Sequence, residues 1–269
     1  MTIFQAYKAG LKDTFRNKKL WFFLFLINLL FAFIATNPFS NLMESELANS
    51  KVVERITEGW DYTVFMEFYL ENQDEIWAMI SQGMVLISLF FIMNVFFSGG
   101  IVNTFYKNSE RFTFRNFWYD CSQFFWRMLR LTFYFLIFHA VLLGIFGFIY
   151  YTVIEGGSNA NLISEVTIVN SAKIIFPIYV LFAIILSMIQ DYAKIHVVSK
   201  DVKILTKPIW ETFKIVFKNF KSTTLLYFLN ILTLVVIFGI YRVLQNLIPD
   251  VEFTEILISF IISQIFLYG

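Results

Sequence analysis

The chain has 269 residues, of which 58% are hydrophobic, 20% aromatic and 15% charged, with a formal net charge of +1 and a mean hydropathy of +0.66. A soluble domain carries about a quarter charged residues; here the apolar residues fall in long runs, which points to an all-α membrane protein. The single Cys121 excludes an intrachain disulfide and a cysteine-based metal site.

Residues 1–19 read as an amphipathic helix. Thr2 and Gln5 have the spacing of a capping box. Ile3, Tyr7, Leu11 and Phe15 share one face, and Lys8, Lys12, Arg16 and Lys19 form a basic stripe. Such a helix lies in the membrane interface with its lysines among anionic headgroups. The first span is expected over residues 20–37, stopping at Pro38. It has no small-x-small cleavage site and reads as retained.

Residues 38–75 form the longest polar segment. It is strongly acidic, and its spacing suggests two short amphipathic helices broken near Gly59. The second span is expected over 76–97, ending at Ser98-Gly99-Gly100. That glycine pair fits either a helix C-cap or a close approach of two helices.

A second surface helix is expected over 114–130. Phe114, Phe117, Cys121, Phe124 and Met128 share its face, with Arg115, Arg127 and Arg130 as its charges. Cys121 is therefore expected as a packed small apolar residue. The third span follows over 131–154 and the fourth over 172–190, with Pro177 near the start of the fourth. Residues 191–221 are the most basic stretch. Within it Pro208 opens a third surface helix carrying Lys207, Lys214, Lys218 and Lys221. A fifth span is expected over 223–244 and a sixth over 255–269.

The unit Phe217-Lys218-Asn219-Phe220-Lys221, with Asn230 beyond it, matches Phe15-Arg16-Asn17-Lys18-Lys19 with Asn28. A blurred copy runs Trp126-Arg127-Met128-Leu129-Arg130, with His139 near the same offset. The implied architecture is six transmembrane helices as three hairpins, each preceded by a cytoplasmic amphipathic interfacial helix. All of it forms a single domain, 1–269, divided as 1–75, 76–130, 131–221 and 222–269.

The amphipathic start, Ser98-Gly99-Gly100, Phe125-Trp126-Arg127 and Asp191-Tyr192-Ala193-Lys194 together resemble a loose group of uncharacterised bacterial six-span integral membrane proteins. The resemblance implies architecture and a bacterial cytoplasmic membrane, and carries no activity.

With six spans, one side holds every Lys and Arg except Lys51, Arg55, Lys173 and Arg242. The positive-inside rule makes that side, and the N-terminus, cytoplasmic.

Two groups of polar residues stand out. Asn28, His139 and Asn230 would lie at similar depth as a midplane cluster, for a solute or a proton or simply for helix-to-helix hydrogen bonds. Asn94, Arg127, Arg130, Gln190, Asp191 and Gln264 would line a cytoplasmic vestibule, although Asp191 also has Lys194 within a helical turn. No catalytic, metal or cofactor constellation is found: His139 and His196 lack ligand spacing, no serine has a nucleophile-elbow context, and no glycine loop cradles phosphate. The expected function is a non-enzymatic bundle organising lipid or a partner protein at the cytoplasmic face. The alternative is a small-solute or proton-coupled transporter. Expected partners are a bilayer with anionic headgroups and a membrane protein or second copy of the chain, with no nucleic acid.

Overall fold

The computed structural model describes residues 2–47, 62–107, 112–156, 165–202 and 204–247. The sixth apolar run, the expected break near Gly59 and the vestibule residue Gln264 lie outside them. Among the described residues the only regular secondary structure is helical: α1 Ile3–Arg16, α2 Lys18–Leu47, α3 Tyr62–Glu71, α4 Gln73–Tyr106, α5 Phe114–Gly156, α6 Glu165–Ser199, α7 Thr206–Lys218 and α8 Phe220–Leu247. Among the described residues five stretches are long and apolar enough to cross a membrane: Lys18–Pro38, Gln73–Tyr106, Phe114–Val153, Val169–Ser199 and Phe220–Ile240. Each exceeds the roughly 20 residues that hydrocarbon demands. The protein is therefore a multi-pass membrane protein by length and composition.

Several helices run past their expected ends. α2 continues through Pro38, and α6 begins at Glu165, which leaves Pro177 well inside it. Pro177 does not end its helix, because a helix in an apolar medium has no water to satisfy carbonyls set free by unwinding. Pro38 stands where the apolar run ends, and the helix still continues past it. α4 likewise continues through Gly99 and Gly100 to Tyr106, and neither glycine has positive φ. The C-cap reading of the glycine pair is thus replaced by the close-approach reading.

The expected second surface helix is not a separate element: residues 114–130 are the first part of the unbroken α5. The other two surface segments do end, and they end at the same residue type. Asn219 closes α7 by placing both its N–H and its side-chain amide on the Ile215 carbonyl, each at 3.1 Å. Its own carbonyl then accepts the N–H groups of Ser222 and Thr223 at 2.9 and 3.0 Å, which starts α8. Asn17 repeats the second half of this, accepting from Leu20 and Trp21 at 3.0 and 3.2 Å. Met128 stands at the matching position in α5. Methionine favours the helix, whereas asparagine competes for the backbone, so α5 runs on.

The chain divides into two compact units. One comprises Thr14–Asn94 and Val235–Gly269. In it Leu20, Leu24 and Asn28 lie buried at successive turns of α2, and Phe31 meets Phe90 of α4 edge-on at 5.3 Å. The other comprises Met1–Asp13 and Val95–Leu234 and holds the best-packed core, around Phe135, Leu131, Ile189 and Val197. Within it α1 begins with the capping box foreseen from Thr2 and Gln5: Thr2 N–H reaches Gln5 Oε1 at 2.9 Å, and Gln5 N–H reaches Thr2 Oγ1 at 3.4 Å. Tyr7 of α1 is hydrogen-bonded to Thr233 of α8.

α5 and α6 pack antiparallel over most of a membrane's thickness. Arg127 pairs with Asp201, His139 meets Ser187, and Phe146 meets Tyr179. As the number rises on α5 it falls on α6, over about 28 Å at helical rise.

Candidate functional site

Two elbows, where a span ends and the next surface segment begins, are built alike. At the first, Gly99 and Gly100 of α4 lie under α5, with the Cys121 and Phe117 side chains seated against Gly100 and Phe124 against Gly99. Cys121 is fully buried, as foreseen. Lys107, at the end of the same span, reaches Asp120 at 3.3 Å. At the second elbow Ala193 and Thr212 are buried at the corresponding places, and Lys200 lies 3.6 Å from Glu211. The sevenfold steps Gly100 to Lys107 and Ala193 to Lys200 match. So do the adjacent pairs Asp120-Cys121 and Glu211-Thr212. Buried Asn103 and His196 each offer a carbonyl to the lysine N–H one turn on, at 2.9 and 3.2 Å. Sequence comparison aligned Trp126 with Phe217 and stopped there; Asp120 and Glu211 each precede those aromatics by the same interval.

The second elbow has a further contact, because the Nε2 of His196 meets the Glu211 carboxylate at 3.1 Å. Partial desolvation pushes that carboxyl up. The His196 hydrogen bond and the charges of Lys200, His196 and Lys207 outweigh it and hold the group below its ordinary value. A group depressed in the folded state contributes stability above its unfolded pKa and loses it as pH falls through the folded value. Glu211→Gln is accordingly expected to weaken the protein at neutral pH and to flatten the acid limb of an apparent Tm profile taken from about pH 7 to 3. An unchanged acid limb would remove Glu211 from this account.

Asn28 belongs to the first unit and donates to the Leu24 carbonyl at 3.0 Å, while His139 and Asn230 belong to the second. Asn230 is exposed. His139 has a neighbour that sequence offset could not supply, the Ser187 hydroxyl at 3.4 Å from Nε2.

The vestibule residues are largely engaged locally. Arg127 pairs with Asp201 and lies over the Phe124 ring at 5.1 Å. Asp201 has a φ of 47°, in the left-handed region that aspartate tolerates better than most residues. Arg130 donates through Nε to the Trp126 carbonyl at 3.2 Å, and Asn94, in the first unit, donates to Phe90 at 2.8 Å. Asp191 pairs with Lys194 at 2.9 Å and accepts from Tyr227 at 3.5 Å, while Gln190 is half-buried. Comparisons of the chain with protein-family models, with characterised proteins and with solved structures give no match.

Lys8, Lys12, Arg16, Lys19, Arg115, Lys207, Lys214, Lys218 and Lys221 are all exposed. α7 buries Pro208, Ile209, Thr212 and Val216 and leaves Trp210 and Phe217 open. The Lys214 ammonium lies over the Trp210 ring at 5.8 Å, and Lys8 over Phe4 at 4.7 Å. A groove of ≈ 430 Å³ is lined by Leu129, Arg130, Phe133 and Tyr134, an almost wholly apolar slot beside one guanidinium.

Proposed function

We propose that the chain is a non-enzymatic six-span protein of a bacterial cytoplasmic membrane, with its N-terminus inside, that organises anionic lipid at the cytoplasmic face. A membrane-protein partner or a second copy would share that platform. The observation that carries this reading is α7, whose outward side joins cations to exposed aromatic rings. Lysine over tryptophan suits the headgroup level, where rings face the acyl boundary and ammonium groups face phosphate. The slot beside Arg130 adds apolar surface next to a second cationic group.

Each basic residue near an anionic surface contributes about 1 kcal/mol. Replacing Lys207, Lys214, Lys218 and Lys221 together by glutamine is expected to strip anionic lipid selectively from the purified protein. Neutral lipid should be retained, as read by mass spectrometry of co-purified lipids. Equal retention of anionic and neutral lipid by the native chain would end this reading.

A second reading, a small-solute or proton-coupled transporter, is favoured by one contact. The imidazole of His139 lies between two spans and faces a hydroxyl.

A further inference from the structure

We propose that His139 is a proton-binding site reached from the cytoplasmic end of α6 through Ser187 and closed on the outer side by an aromatic contact. The inference deepens the transporter reading and rests on it, and on the inside orientation of the basic elbows.

The tautomer follows from geometry. His139 Nδ1 lies 2.8 Å from the Phe135 carbonyl, which can only accept, so Nδ1 carries the hydrogen. The neutral ring therefore turns its lone pair, on Nε2, toward the Ser187 hydroxyl. A basic nitrogen aimed at a hydroxyl between two helices is half of a proton relay.

The other half lies on α6. Ser187, Asp191 and Lys194 follow one another along a single helical stripe, and Asp191 lies about 6 Å nearer the cytoplasmic end than Ser187 at helical rise. The Asp191 side chain is 49% exposed, so the stripe opens at its basic end.

Every element packed around His139 can be checked for charge. α6 contributes Asp191 and Lys194, paired at 2.9 Å, and α8 contributes the Tyr227 hydroxyl on Asp191. The nearby α7 side chain is the Phe213 ring, against Phe138. α5 itself offers Phe135 and Phe138. The one carboxylate among these groups, Asp191, is held by Lys194 and Tyr227.

Toward the other end of the pair the polar stripe stops. Phe146 packs on Tyr179 at 5.8 Å and on Phe182 at 5.7 Å, about two helical turns beyond His139. The stripe positions that continue from Ser187 in this direction, Ala183 and Val180, carry no polar side chain.

The transfer balances. A hydronium ion gives a proton to Ser187 Oγ, leaving water, as the proton already on that oxygen passes to Nε2. The products are a neutral serine, turned to accept, and an imidazolium that donates from both nitrogens. Reversal returns the proton to the same side.

Two measurements test the site in the full-length chain. A membrane-impermeant, positively charged thiosulfonate is applied to Ser187→Cys in inside-out and right-side-out vesicles. Wild type, whose one thiol at Cys121 is fully buried, serves as the blank. Modification from the cytoplasmic face alone is expected; modification from outside, or from neither face, overturns the proposal.

Separately, 15N-histidine NMR of the wild-type chain in nanodiscs follows the His139 ring, assigned by its loss in His139→Gln, through the histidine range of about pH 8 to 5. Nε2 is expected to move to its protonated position, and a ring that stays neutral throughout overturns the proposal. Proton-coupled flux that survives His139→Gln unchanged would overturn this site and leave the transporter reading standing. A titrating His139 in a chain that carries no flux would support the site and remove that reading.

Discussion

Replacing Gly99 by alanine is expected to destabilise the protein by about 3 kcal/mol, the upper part of the usual range for overpacking. The new methyl would sit 2.5 Å from the Phe124 Cβ, an atom fixed to its backbone, so one helix must move. At Gly100 the methyl would run into Cys121 Sγ and lie 2.9 Å from the Phe117 ring. A sulfur can be removed and a Cβ cannot. Cys121→Ala should therefore recover part of the loss in Gly100→Ala, while no similar rescue exists at Gly99. Gly144 and Gly147 of α5 are the controls. Nothing lies within 4 Å of a methyl at either position, and alanine there should be neutral or stabilising by up to about 1 kcal/mol through helix propensity. Thermal unfolding followed by size-exclusion recovery would rank the four variants. Equal effects at all four positions would mean that α4 and α5 are not in contact at the glycine pair.

Lys107→Met is expected to cost about 2 to 3 kcal/mol, because it strands the Asp120 carboxylate, which is only 5% exposed. Lys107 is itself 44% exposed, so some water reaches the gap and the loss stays below that of a fully interior pair. Adding Asp120→Asn should restore most of the stability, since the uncompensated charge is then gone. The second elbow predicts a different outcome from the same chemistry. Lys200 is 59% exposed and Glu211 37% exposed, and an ion pair so open to water contributes little to stability. Lys200→Met should thus be mild. The two lysines occupy matching places, so the contrast isolates burial from position. Equal costs would show that Asp120 is not sealed beneath α5.

Some of this was legible in the chain alone. The apolar runs, the Thr2 and Gln5 box and the packed Cys121 all depend on residues close in sequence. Ser98-Gly99-Gly100 admitted two readings because both look identical locally. The choice is made by Phe117, Cys121 and Phe124, which arrive from the next helix. Pro38 misled because a proline only disfavours a helix, and α2 continues past it to Leu47. Pro177 lies deeper in its helix than expected because α6 starts at Glu165.

Equal offsets of Asn28, His139 and Asn230 along separate helices do not say which helices are neighbours, so the Ser187 hydroxyl beside His139 was out of their reach. Ser187 was not singled out, although folding residues 114–199 as one hairpin would have set it opposite His139. The paired elbows were missed because their lysines and carboxylates look like ordinary surface charges until α5 and α7 are seen seated on the preceding helix ends.

The central claim is that apolar helices cross a bilayer with their basic elbows held on the cytoplasmic side. Lys207→Cys and Lys214→Cys, labelled in intact cells with an impermeant maleimide, test it most directly. The account predicts no labelling until the membrane is opened from within, at both positions. Labelling of either residue in sealed cells, or recovery of the protein in the aqueous fraction without detergent, would contradict it.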